Sequence, residues 1–140
     1  MDKVAESVFV GTARDAGDES LLEDRDIDRI VSLTHTAPET GFPASVSVTR
    51  VAMMDGPRNE RRRFELAVEA VLAALESGSR VLVHCSRGAS RSPSVAAVAI
   101  AVHSGLDIGA AFDQVSRRRT VVDPHDALVG QAVDIYRDLK

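Results

Sequence analysis

The segment His84-Cys85-Ser86-Arg87-Gly88-Ala89-Ser90-Arg91-Ser92-Pro93 brings a thiol, a flexible backbone and a guanidinium into one short stretch of chain. Cys85 is the candidate nucleophile, because a thiolate can attack an electrophilic centre and form a covalent intermediate. Gly88 lets the backbone curl closely around an anion. Arg91 can present a planar fork to two phosphoryl oxygens and stabilise the charge of a trigonal-bipyramidal transition state. A bound phosphate would rest on Ser86, Arg87, Gly88, Ala89, Ser90 and Arg91. A lone cysteine after an apolar strand is otherwise only a small buried residue. Gly88, Arg91 and Ser92 in register with Cys85 favour the reactive reading.

The flanking residues explain how such a loop would be held. Arg80 to His84, with Val81-Leu82-Val83, reads as a buried strand, and Ser92-Pro93 starts a helix with a hydroxyl N-cap and proline at the first helical position. A strand-to-helix loop aims unpaired N–H groups and the positive end of the helix dipole at one point. The same field favours thiolate over thiol. Val95 to Val102 is apolar on every face, which places that helix at the centre of the molecule, and Gly105 ends it.

Elsewhere Ser7 to Val10, Ile27 to Leu33 and Ser45 to Met53 read as strands. Leu21 to Asp26 reads as a short helix. Phe64, Ala67, Val68, Val71, Leu72 and Leu75 give Asn59 to Ser77 the spacing of an amphipathic helix. Two more helices are expected over Ile108 to Arg118 and Ala127 to Leu139. No repeat or linker interrupts the alternation, so residues 1–140 are expected to form one α/β domain with a largely parallel sheet flanked by helices.

Composition narrows the classes further. The chain of 140 residues is 44% hydrophobic and 27% charged, as an ordinary globular protein is. Its longest apolar run, Val95 to Val102, falls far short of the roughly 20 residues that span a bilayer, and the amino terminus lacks a hydrophobic signal core. A cytoplasmic location without membrane association is expected. The single cysteine excludes a disulfide framework and multi-cysteine zinc patterns. Residues 1–55 hold 11 acidic and 5 basic side chains and residues 56–140 hold 10 and 12, so the second part is where an anionic ligand should bind.

The loop resembles the motif His-Cys-x-x-Gly-x-x-Arg-Ser/Thr of the cysteine-dependent protein tyrosine phosphatase superfamily, and specifically its small dual-specificity group. His84, Cys85, Gly88, Arg91 and Ser92 match every fixed position, and the order of strands and helices is similar over nearly the whole chain. The resemblance implies a catalytic domain that hydrolyses phosphomonoesters through a phosphocysteine, without metal or other cofactor. Phosphotyrosine and phosphoserine/threonine in proteins would be its substrates. It further implies a monomer with no nucleic-acid partner.

The resemblance also implies roles for individual residues. Asp55, in Met53-Met54-Asp55-Gly56-Pro57 and 30 residues before Cys85, would be the general acid. Glu60 is its nearest competitor, and Asp55-Gly56-Pro57 is also a good turn. Ser92 would hydrogen-bond the leaving thiolate. His84 would orient the loop and favour the thiolate. His35, His103 and His125 read as surface or satisfied histidines. Arg58, Arg61, Arg62 and Arg63, with Arg117 to Arg119, read as solvated helix surface or as substrate contacts.

Two departures stand out. Arg87 lies where related enzymes often carry a small or acidic residue, and it adds positive charge at the rim. This charge motivates an alternative anionic substrate, a phosphoinositide or an RNA 5′-triphosphate. Pro124 is followed by His125 instead of asparagine, which questions the polar support of the phosphate loop. A phosphoprotein-binding module without turnover would be expected to lack the cysteine, arginine or acid, and a sulfurtransferase would not need Asp55.

Overall fold

A computed structural model describes residues 1–140. In chain order the elements are β1 (Asp2–Ala5), β2 (Val8–Gly11), α1 (Ala13–Ala16), α2 (Glu19–Asp24), β3 (Arg29–Ser32), β4 (Ser47–Arg50), α3 (Arg61–Glu76), β5 (Val81–His84), α4 (Arg91–Ser104), α5 (Ile108–Arg118) and α6 (Asp126–Leu139). The strands form one sheet in the order β1-β2-β5-β3-β4. Parallel pairing joins β2, β5, β3 and β4, and β1 runs antiparallel to β2. The expected single α/β domain with a largely parallel sheet is the fold observed.

Side-chain alternation along the central strands divides the core between the two faces. Val8, Val10, Val31, Val81 and Val83 join the larger core under α3, α4, α5 and α6. Phe9, Ile30 and Leu82 point the other way, toward Ala16 and Leu22 of α1 and α2. Helix α4 packs against α3, α5, α6 and the sheet, so every residue from Ser92 to Ala101 is buried. That placement is why its sequence has no polar face.

The register sets the site. Gly11 and Ser32 both pair with His84, so β2, β3 and β5 end level with one another. The loop after β5 therefore opens at the carboxyl edge of the sheet, where ligands bind in open parallel sheets.

Several expected elements shift. Strand β1 was not expected: only Val4 of its four residues is buried, too little for an alternation signal. Helix α1 was not expected either, and it exists through a capping box in which Thr12 and Asp15 bond each other's backbone N–H groups. The third expected strand shrinks to Ser47–Arg50, because β4 is an exposed edge, although Val51 and Met53 still donate to Ser32 and Leu33. Helix α4 begins before Ser92, with Ser90 as its N-cap. Pro93 is then the third helical residue, which is tolerated because N–H groups of a first turn have no intrahelical partner.

Candidate active site

The backbone from Cys85 to Ser90 shows a one-sided pattern of hydrogen bonding. Every carbonyl is taken by the scaffold. His84 Nδ1 bonds the Cys85 oxygen at 3.2 Å, Ala13 N–H bonds that of Ser86 at 3.2 Å and Asp123 N–H bonds that of Ala89 at 2.7 Å. Arg119 donates through Nε to Gly88 at 2.6 Å and through Nη2 to Arg87 at 3.3 Å, and Ser94 donates to Ser90. The amides of Ser86 to Arg91 donate to no protein acceptor. Buried backbone groups are almost always paired, so a row of carbonyls turned outward leaves a row of N–H groups turned toward a ligand. Gly88 makes the curl possible. Its φ is +66°, and a Cβ there would lie 2.7 Å from the Gly11 carbonyl oxygen.

At the centre of the curl lies the thiol. Cys85 is 2% exposed and lines a cavity of about 390 Å³ together with Asp55, Ser86, Arg87, Ser90 and Arg91. Ser92 Oγ is 3.1 Å from Cys85 Sγ, and the Ser92 amide donates to the sulfur at 3.5 Å. This contact explains why Ser92 is inside the first turn and not its cap: its hydroxyl faces the sulfur.

His84 is fully buried behind the loop. Its Nδ1 must donate, because the Cys85 carbonyl can only accept, and its Nε2 then accepts the Ser32 hydroxyl at 2.7 Å. Burial pushes the imidazole below its ordinary range, the bond to the Cys85 carbonyl opposes that shift, and the Arg91 guanidinium adds to it. The bond to the Cys85 carbonyl ties the imidazole to the loop, and burial disfavours its charged form.

Arg91 reaches across the pocket. Its Nη1 donates to the Met53 carbonyl at 3.0 Å and its Nη2 to Ser86 Oγ at 3.2 Å. The guanidinium therefore joins the phosphate loop to the segment carrying Asp55. Asp55 lines the cavity, whereas Glu60 is the exposed N-cap of α3 and does not. Asn59, nearly buried, steadies the segment by accepting the Met54 amide and donating to Gln131 of α6.

Two residues do more than the sequence suggested. Arg119 was read with Arg117 and Arg118 as helix surface or substrate contact, yet its side chain is only 8% exposed. It clamps Asp2, Val10 and the phosphate loop together from behind. A dense arginine run at a helix end hid this role, since nothing in three adjacent arginines tells which one turns inward. His125 was read as a surface or satisfied histidine. It lines the cavity, caps α6 by accepting the Ala127 amide at Nδ1, and donates its own amide to Ser90 Oγ at 2.9 Å. Polar support questioned by the absence of asparagine is thus supplied by backbone groups of Asp123 and His125. Arg61 and Arg62 pair with Asp138, Glu65 and Glu69 and are surface residues, as one of the two readings held. No cluster of metal-ligating side chains is present.

Residues 8–138 match the family described as "Dual specificity phosphatase, catalytic domain". Human dual specificity phosphatase 28 is 32% identical over 130 residues, covering 92% of this chain and 73% of the relative. The crystal structure of human DUSP28 superposes with a TM-score of 0.89 at 29% identity, covering 99% of this chain and 97% of that one. A mouse putative dual specificity phosphatase complexed with zinc tungstate gives a TM-score of 0.88 at 29% identity, over 99% and 87% of the two chains.

Proposed function

Because the chain belongs to the dual specificity phosphatase family, we propose that it dephosphorylates phosphotyrosine and phosphoserine/threonine in proteins through a phosphocysteine at Cys85. The observation that carries this reading is the one-sided hydrogen bonding of the loop around Cys85. Free amides of Ser86 to Arg91 and the Arg91 guanidinium form a positive cradle whose floor is the sulfur.

Chemistry follows from that arrangement. The Cys85 thiolate attacks phosphorus, the ester P–O bond breaks, and Asp55 gives its proton to the departing oxygen. Equatorial charge is taken by the loop amides and Arg91, donors already in place before reaction and hence without reorganisation cost. A water then attacks the phosphocysteine, the Asp55 carboxylate accepts its proton, and the sulfur leaves toward the Ser92 hydroxyl. Proton transfer of this kind contributes typically 10²- to 10⁴-fold.

The walls favour monoesters of proteins over polyanions. No Phe, Tyr or Trp lines the cavity, so no ring is present to select an aryl phosphate by stacking. Asp55, Asp123 and Asp126 share the cavity with Arg87 and Arg91. With Asp55 holding the proton it donates, the carboxylates of Asp123 and Asp126 oppose the rim charge of Arg87, which weakens the case for a phosphoinositide or an RNA 5′-triphosphate. Values of kcat/KM for matched phosphotyrosyl and phosphothreonyl peptides, a soluble phosphoinositide and a 5′-triphosphorylated RNA test this. Both peptides should be turned over, with tyrosine ahead because aryl oxide is the better leaving group. A preference above about 10⁴-fold for tyrosine, or a polyanion favoured over both peptides by about tenfold, would contradict the proposal.

A further inference from the structure

Ser90 stands where the phosphate loop, the Asp55 segment and the start of α6 meet. It is the N-cap of α4, yet its side chain makes no bond to that helix. A serine at an N-cap normally accepts an N–H of the first turn. Here the hydroxyl is turned to two other partners: it accepts the His125 amide at 2.9 Å and lies 2.5 Å from Asp55 Oδ1.

The direction of both bonds is fixed by chemistry. An amide can only donate, so Ser90 Oγ accepts from His125, and an ionised Asp55 Oδ1 can only accept, so the hydroxyl donates to it. Oδ1 of Asp55 is therefore an acceptor, and a proton on that carboxyl belongs on Oδ2. We infer that Ser90 is a positioning residue for the general acid: oriented by the His125 amide, its hydroxyl holds Asp55 Oδ1 and leaves Oδ2 as the oxygen that exchanges a proton with the substrate. This rests on the reading of Asp55 as the acid.

The arrangement suits both halves of the reaction. In the first, Oδ2 releases its proton to the departing oxygen and Oδ1 keeps its bond to Ser90, which strengthens as the carboxyl becomes a carboxylate. In the second, Oδ2 accepts the proton of the attacking water, and the same bond keeps it in place. With its proton on Asp55 and a lone pair on His125, the Ser90 hydroxyl contributes to phosphate binding only through the residue's backbone amide. Ser90 is 8% exposed, so its hydroxyl keeps these two partners, whereas Asp55 itself is exposed at the cavity.

The test compares wild type, Ser90→Ala, Asp55→Asn and the double variant on a phosphothreonyl peptide and on p-nitrophenyl phosphate, with vanadate inhibition alongside. Loss of a hydrogen bond to a charged group should lower kcat on the peptide roughly tenfold for Ser90→Ala and lower it less on p-nitrophenyl phosphate, whose good leaving group depends less on the acid, so the ratio of the two rates falls. In the Asp55→Asn background the same substitution should cost less than about twofold, because the group it positions is gone. Ser90→Gly is a second hydroxyl-free variant with the same expectation. Equal losses on the two substrates, weakened vanadate binding, or a full additional loss in the double variant would each overturn the inference. If Asp55→Asn shows no leaving-group dependence, the assignment of the acid fails and the inference with it. If Asp55→Asn behaves as an acid variant and Ser90→Ala is silent, only the inference fails.

Discussion

The loop from Cys85 to Ser90 and the segment from Met53 to Asn59 bring the proposed nucleophile and the proposed acid to one cavity, yet they are fixed in different ways. The first lies between a buried strand and the most buried helix of the molecule, and each of its carbonyls has a scaffold partner. The second follows an exposed edge strand, with Met54 and Asp55 themselves exposed. Beyond the Met53 amide on Leu33 and the turn bond from Asn59 to Gly56, its hold consists of side-chain bonds from Arg91, Asn59, Ser90 and Gln131. A phosphate cradle must not move, since its donors act by being in place beforehand. An acid must meet leaving groups of different length, and a segment tied at a few points can adapt to them. Substitutions in the acid segment should therefore alter chemistry with little change in stability, whereas those behind the phosphate loop should alter both.

Asp55→Asn gives the larger effect. It should lower kcat roughly 10²-fold or more on a phosphothreonyl peptide and far less on p-nitrophenyl phosphate, with the midpoint of thermal unfolding nearly unchanged. A comparable loss on both substrates, or a large drop in the melting temperature, would remove the contrast between the two loops.

Arg119→Met tests the other side. It leaves the Gly88 and Val10 carbonyls and the Asp2 carboxylate without their guanidinium, so chemical denaturation should show a loss of about 2–3 kcal/mol. Turnover of both substrates should fall together, because the cradle and not the acid is disturbed. Unaltered stability would mean that the clamp is dispensable.

A smaller effect attaches to His84. Its folded-state pKa lies below 6.5, so the unfolded chain binds the extra proton first as pH falls. The stability this buried neutral imidazole contributes is present above about pH 6.5 and is lost as pH drops toward the lowered folded value. Unfolding free energies measured from pH 7.5 to 5 should decline for wild type and decline less steeply for His84→Gln. Parallel slopes would show that another group carries the dependence.

The two loops also differ in how far sequence reveals them. The phosphate loop could be read almost entirely, because Cys85, Gly88, Arg91 and Ser92 each carry a requirement that few residue types meet. Helices α3, α5 and α6 are legible from their periodicity, and the central strands and α4 from their apolar runs. Strand β1 and helix α1 escaped, since four-residue elements held by one buried valine or one capping box leave no periodic trace. The inward turn of Arg119 and the support from His125 escaped for another reason. Both act through backbone carbonyls or amides, which every residue possesses, so side-chain type gives no sign of them. The start of α4 was misplaced because Ser90 and Ser92 are both plausible N-caps, and only the sulfur contact distinguishes them.

The central claim is that phosphate passes through Cys85, and a rapid-quench experiment with a ³²P-labelled phosphopeptide tests it most directly. During a single turnover, acid quenching should trap label on the enzyme, and peptide mapping should place it on the segment containing Cys85. Cys85→Ser, folded and still able to bind vanadate, should trap none and turn over nothing. Label on another residue, or turnover by Cys85→Ser above a few per cent of wild type, would contradict the phosphocysteine.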